Sequence, residues 1–473
     1  MKDQLFELVH GFLCYSHRIV RRVVPGFFCI LLSCESFVEV DLPESQLTGE
    51  AVYEDYATAT AALSDIYARL RDNSFISGSS SGMSVLLGLY ADELDYYGVS
   101  QQPPEFFYNH TLLPSNTTIT TWWNQCYNLI YSVNALIEGV NKSSVLSDAE
   151  KRQLQGEALF IRAYIHFYFS ELFGDIPYIT ITDYKENDKV ARTPYKEVYP
   201  LIVKDLVEAI DLLPQDYISP NRTRPNRAVA QGFLARVYLY HEAWAEAADM
   251  ASAVVNQTSM YRLEDDLDRV FLKESTSTLW QLSPAEDGQN TQEGATFIFS
   301  STPPPLVALS DEFLNTFEPG DLRKEYCTGE ISDEENNWSY PYKYKERNPT
   351  ATSLEYTILF RLAEQYLIRG EARAQQGDII GAQEDLNQIR SRAGLNNTKA
   401  SDKQQLLEAI QRERKTEFFT ELGHRWFDLK RTGKADEILP KVKPGWKTTN
   451  ILFPIPESEI LLNPNLLPQN EGY

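Results

Sequence analysis

Gly78-Ser79-Ser80-Ser81-Gly82 satisfies the G-x-S-x-G spacing. That spacing activates a serine only at a sharp strand-to-helix elbow, with a histidine and an acid converging on it. Here it sits in a Ser/Gly-rich stretch and reads as a flexible loop. His241-Glu242 opens like the zinc-binding H-E-x-x-H pattern, but position 245 is Ala, so the second ligand is missing. Asp92 and Asp95 have the composition of a glycosidase pair, which needs two carboxylates across a cleft. With 67 acidic residues in the chain such pairs arise by chance, and a solvated face is the default reading. His424 has polar neighbours in Gly423 to Leu429. Helix spacing makes Arg425 and Asp428 i,i+3 partners there and turns Trp426 and Phe427 inward, a structural arrangement. Neither a Walker A loop nor a G-x-G-x-x-G is found, so no nucleotide cofactor is expected, and no catalytic residue is assigned.

What the sequence does offer in quantity is aromatic surface: 27 Tyr and 23 Phe in 473 residues. So much tyrosine suits a surface that grips flat apolar faces while staying wet. The net charge of −23 repels phosphate backbones, and no Lys/Arg stripe overrides it, which excludes nucleic acid and disfavours anionic polymers. The cysteines are Cys14, Cys29, Cys34, Cys126 and Cys327; none forms a C-x-x-C pair, so the zinc and thioredoxin-like readings lack their spacing and no metal ligand is assigned. Whether Cys126 and Cys327 pair is left open.

The first 33 residues read as an export signal. Arg18, Arg21 and Arg22 precede an apolar run from Val23 to Leu32, about half the ~20 residues needed to span a bilayer. The run ends in Leu31-Leu32-Ser33-Cys34, similar to a bacterial lipobox in which the Cys34 thiol accepts diacylglycerol. Several acyl chains on one cysteine would hold a soluble domain firmly, at ~0.8 kcal/mol per buried CH₂.

Behind the signal the strongest periodicity is helical. Ala62, Ile66 and Leu70 fall on one stripe of a helix over 59–70, and Cys126, Ile130, Val133 and Ile137 on one over 122–137. Leu154 to Phe173 is an aromatic-rich helix stopped by Gly174 and Pro177. Thr193-Pro194 starts another, with Thr as N-cap and Pro at N1, running to about Leu213. Two later segments look like copies of one unit: 228–240 with 244–254, placing Ala235 and Tyr238 inward, and 362–375 with 379–389 across a Gly377-Asp378 turn. This is tetratricopeptide-like helix packing, without the full consensus. The stretch from about 258 to 352 reads as loops with a few short strands such as Thr278–Leu282, and 73–82 and 100–121 as irregular too. Long irregular segments in a helical domain are usually functional. The expected organisation is an all-α, helix-pair scaffold over 34–473 as a single domain.

Several blocks then fall into a recognisable order: Cys34 to Pro43, Gly156 to Pro177, Arg361 to Ala372 with Leu386 to Gly394, Glu413 to Phe418, Gly423 to Leu429, and Phe453 to Pro456 with Gln469 to Tyr473. Together they resemble the RagB/SusD family over nearly the whole mature chain. The resemblance implies a non-catalytic lipoprotein of the outer membrane, anchored through Cys34 and facing the extracellular side. It further implies a SusC-type, TonB-dependent transporter as partner, with oligosaccharide or polysaccharide as cargo. A peptide-binding receptor of the RagB kind on the same scaffold is the alternative. The matching blocks are mostly scaffold, so ligand residues transfer poorly.

A sugar ring has an apolar C–H face rimmed by hydroxyls, so its natural binder is an exposed aromatic beside Asp, Asn or Arg. One such contact contributes at most ~1.5–3 kcal/mol, so two or three are needed. Two stretches supply them: Asp92 to Asn109, with Asp92, Tyr96, Tyr97, Phe106, Tyr108 and Asn109 as candidates, and Asn336 to Tyr344, with Trp338 and Tyr340. Phe107, Tyr96 and Tyr344 also suit a core.

Overall fold

The computed structural model describes residues 51–473 apart from Pro444; the expected leader, Cys34 and the tether to Pro43 lie outside the described residues. The helices in chain order are α1 (Tyr56–Asn73), α2 (Met83–Tyr90), α3 (Pro103–Tyr108), α4 (Thr117–Lys142), α5 (Asp148–Phe173), α6 (Tyr184–Asn187), α7 (Tyr195–Leu212), α8 (Arg227–Tyr240) and α9 (Trp244–Val255). They continue as α10 (Gln292–Phe297), α11 (Asp311–Leu314), α12 (Leu322–Cys327), α13 (Leu362–Gln376), α14 (Ile379–Arg392), α15 (Lys403–Glu417), α16 (His424–Arg431), α17 (Ala435–Val442) and α18 (Glu457–Leu462). Six short strands complete the set: β1 (Leu94–Tyr96), β2 (Thr278–Leu282), β3 (Val307–Leu309), β4 (Thr328–Ser332), β5 (Asn337–Pro341) and β6 (Thr357–Arg361). They form three antiparallel pairs, β1 with β3, β2 with β6 and β4 with β5. The fold is helical, as the periodicity requires.

Local chemistry sets the long helices. Asp55 caps α1 by accepting from the backbone N–H of Ala57 and Thr58, and its buried stripe is Ala59, Leu63, Ile66 and Leu70. Ala62, expected on that stripe, sits beside it. Ser147 and Glu150 form a reciprocal capping box at the start of α5, which is buried almost without break from Gly156 to Phe173. That unbroken burial makes α5 the central post, packed by α4 on one flank and α7 on the other. The two units with matching sequence are the helix pairs α8–α9 and α13–α14, and α13 packs on α9 so that the pairs stack. Gly377, at φ +86°, makes the turn between α13 and α14. In α8 it is Leu239 and Tyr240 that turn inward with Ala235, while Tyr238 stays half-buried.

The charged residues of the sequence blocks hold this stack from inside. Arg162 of α5 meets Asp205 of α7 through two bonds of 2.7 Å. Arg236 of α8 meets Glu364 of α13 through two of 2.6 Å. Arg361 and Arg392 converge on Glu417. Removing one partner of such a buried pair strands a charge, at a cost of about 3–5 kcal/mol.

Several expectations need correction. The segment 100–121 is irregular only in part: 109–116 is a connector, but α3 begins on Pro103 at its first turn, and Asn116 caps α4 by accepting from Thr118 and Ile119. Helix α7 starts one residue later than expected, because Thr193 pairs with Ile176 in a β-bridge and Pro194 takes the cap position. Arg425 and Asp428 are not partners. Arg425 leaves the helix for Asp92, while Asp428 takes Arg431 at i,i+3 and Arg414 from α15. Trp426 and Phe427 are buried as expected. Cys126 and Cys327 are both buried free thiols.

Candidate ligand-binding site

Asp92, offered above as a ligand group, is not at the surface. It is 3% exposed, and its carboxylate accepts from Arg425 Nε at 2.6 Å, Arg425 Nη2 at 2.8 Å and Lys415 Nζ at 2.9 Å. Burial works against its ionisation, but Arg425 and Lys415 outweigh that and hold the carboxyl far below the ordinary carboxylate range. Its role is to fasten α15 and α16 to the start of β1, and it forms no acid pair with Asp95. The Gly78–Gly82 stretch likewise follows helix α1 and a bend rather than a strand, so no nucleophile elbow forms.

From Asp92 the chain enters β1, whose register against β3 (Leu94↔Leu309, Asp95↔Ala308, Tyr96↔Val307) fixes which way each side chain turns. The ladder ends with the Tyr97 N–H donating to the Leu306 carbonyl at 2.8 Å, which leaves Tyr97 at the rim with 40% of its surface open. The second aromatic stretch lies on the β4–β5 hairpin, where Ile331 faces Trp338 and Gly329 faces Tyr340. Asp333 builds the turn by accepting from the N–H groups of Glu335 and Asn336. Trp338, Tyr340 and Tyr342 are two residues apart and therefore share one face of β5 and its continuation.

β5 runs beside β3, and this brings the two stretches together. The Trp338 indole N–H faces the Tyr97 hydroxyl. Burial and the nearby Asp95 push the Tyr97 phenol up, and Trp338 opposes them. Behind Tyr97, the Tyr108 hydroxyl donates to Asp95 Oδ1 at 3.1 Å. Burial and Asp95 push that phenol up to about 12. Under Tyr108 lies Lys443, a residue the sequence reading missed. Its ammonium is 3.7 Å from the ring centroid and donates to the Leu94 carbonyl at 3.1 Å. Burial lowers its pKa to about 8, against the pull of Asp95 and Asp92.

The remaining candidates divide. Tyr340 lies half-buried across Gly329, its ring 5.1 Å from Phe299 and 5.8 Å from Tyr342. Tyr96 turns back on its own loop, donating to the Val99 carbonyl at 2.5 Å. Phe106 is half-buried against the main core, and Phe107 and Tyr344 are core residues. Asn109 is exposed at the end of α3. The aromatics thus form a strip of Tyr97, Trp338 and Tyr340, with Tyr108 and Asp95 supplying polar groups alongside. Flat rings with hydroxyls and a carboxylate at their edges can stack on an apolar ring face and take up hydroxyls around it. Among the described residues no cluster of His, Cys, Asp or Glu has the makings of a metal site.

Two family models match the chain: one described as "Starch-binding associating with outer membrane" over residues 96–239, and "SusD family" over 316–473. The chain belongs to the SusD/RagB family. SusD-like protein P2 of Formosa agariphila is 28% identical, covering 94% of this chain and 97% of that protein. The starch-binding protein SusD of Bacteroides thetaiotaomicron is 25% identical, over 71% of this chain and 75% of that one. Among solved structures, a SusD superfamily protein from Bacteroides vulgatus superposes with a TM-score of 0.78 at 21% identity, covering 89% of this chain and all of that one. A laminarin-binding SusD-like protein gives 0.77 at 24% identity with the same coverage. These superpositions carry the SusD fold.

Proposed function

We propose that this SusD/RagB-family chain is a glycan-binding receptor that captures a neutral oligosaccharide or polysaccharide and does not alter it. The observation that carries the reading is the meeting of Tyr97 and Trp338, drawn from distant parts of the chain into one aromatic strip flanked by Tyr108 and Asp95. Two or three stacked rings at ~1.5–3 kcal/mol each are comparable with the lower end of the association cost, about 4 kcal/mol and upward, so the polar groups beside the rings must add to them for net binding. A net charge of −23 favours an uncharged ligand. The solved relative described as laminarin-binding, and the curated relative named as starch-binding, support the carbohydrate class.

In the same reading the receptor sits at the outer membrane. Cys34 carries the lipid and the domain faces outward, handing its cargo to a SusC-type, TonB-dependent transporter. No cofactor is required. The test is a binding screen of the full chain against laminarin, amylopectin, xylan, galactomannan and a pool of short peptides. Retention on at least one neutral glycan, lost on Trp338→Ala, is expected. Retention on peptides alone would overturn the carbohydrate assignment in favour of a peptide receptor.

A further inference from the structure

On the helical side of the molecule, away from the β4–β5 hairpin in sequence, a cleft of about 640 Å³ opens between the stacked pairs and helices α15 to α17. Its volume lies within the ~300–1,000 Å³ range of small-molecule sites. Trp244, at the start of α9, and Tyr240, at the end of α8, line one side, with Leu407 and Ile438 among the apolar residues of α15 and α17.

The charges of the cleft indicate what it can hold. Lys415 and Arg425 are both bound to Asp92. Arg431 is paired with Glu371 at 2.6 Å, and Lys434 with Glu437 at 2.6 Å. Three of these four pairs lie inside the protein, so a carboxylate or phosphate entering the cleft would have to compete with them, and the exposed Glu242, Glu408 and Arg412 along its lining add one net negative charge. Beside these charges the cleft offers neutral polar and aromatic groups. Tyr240 is 8% exposed, and its hydroxyl, which takes no partner among the described residues, is open to the cleft, where a ligand hydroxyl can take the place of water. The Trp244 indole, half-buried beside it, gives a flat apolar wall.

We propose that this cleft is a second glycan subsite, taking a short run of a neutral polysaccharide chain against Trp244 and Tyr240. The proposal rests on the glycan-binding reading of the first site and extends it. Two weak sites on one body raise the hold on a long polymer through effective concentration, without tightening the hold on a short fragment.

The test uses the full chain carrying Trp338→Ala, titrated by calorimetry with hexasaccharides of β-1,3-glucan, α-1,4-glucan and β-1,4-xylan. Amide hydrogen exchange is followed in parallel over 403–415 and 435–442. At least one hexasaccharide is expected to bind this variant near the millimolar range and to slow exchange in those two segments. Adding Tyr240→Phe and Trp244→Ala should weaken it at least fivefold. Exchange measured on Trp338→Ala alone decides the matter even if the cleft variants fold poorly. Loss of all binding and protection on Trp338→Ala overturns the second subsite and leaves the first standing. Binding that survives Trp338→Ala at full strength but fails on the cleft changes overturns the first site and keeps the second. No binding to the unmodified chain overturns both, and protection of the cleft by peptides rather than hexasaccharides overturns the ligand class.

Discussion

Asp92 and Arg425 meet in a two-pronged ion pair, 2.6 and 2.8 Å, with Lys415 closing on the same carboxylate at 2.9 Å. This buried knot ties β1, and with it Tyr97, to the α15–α16 corner of the scaffold. Asp92→Ala would leave two nearly buried cations without a partner. A loss of about 3–5 kcal/mol in unfolding free energy is expected, read by urea titration. An unchanged denaturation midpoint would show that the knot contributes nothing to stability.

Glu93, beside it, has the opposite environment. Burial and the neighbouring Asp92 push its carboxyl up to about 8. Burial also pushes Glu293 and Glu355 up to about 7. A carboxyl held protonated in the fold binds a proton that the unfolded chain has released, so its stabilisation is present at low pH and lost as pH rises through the folded value. Thermal stability should therefore fall between about pH 6.5 and 8, and Glu93→Gln should flatten part of that slope. A melting temperature that climbs steadily over this window would contradict the assignment.

Lys443 shifts the other way. Its pKa of about 8 lies below that of a free lysine, so between roughly 8 and 10.5 the unfolded chain binds more protons and this group's contribution rises with pH. Lys443→Met should remove that rise. Because the ammonium lies against Tyr108 and the Leu94 carbonyl, the substitution should also loosen the Tyr108–Asp95 bond and weaken glycan binding severalfold. Lys443→Arg, which keeps the charge, should restore part of the affinity. Equal effects of Met and Arg on affinity would assign Lys443 to folding alone.

The helical scaffold was legible because helix contacts are local. The period of apolar residues in α1, α4 and α5, and the Gly377 turn, are properties of neighbours in the chain. The strand Thr278–Leu282 was legible as a short β-rich run. Helix α3 was missed although Pro103 at its start and Asn116 before α4 are ordinary helix-entry signals; the Pro-Gln-Asn composition around them masked the pattern. Asp92 was misplaced for a different reason. Its partners lie more than 300 residues onward, and no local pattern distinguishes a carboxylate that will be buried from one that stays in water. The convergence of Tyr97 and Trp338 was half visible. Both stretches stood out by composition, but only the packing of β5 beside β3 places them together.

The aromatic strip is tested most directly by a double-substitution cycle on Tyr97 and Trp338. It is measured as calorimetric affinity for the glycan retained in the screen, with Tyr97→Ala, Trp338→Ala and the pair. If the two rings form one platform, each single change weakens binding at least tenfold, about 1.4 kcal/mol, and the pair costs less than the sum. Full wild-type affinity in Trp338→Ala would contradict the account.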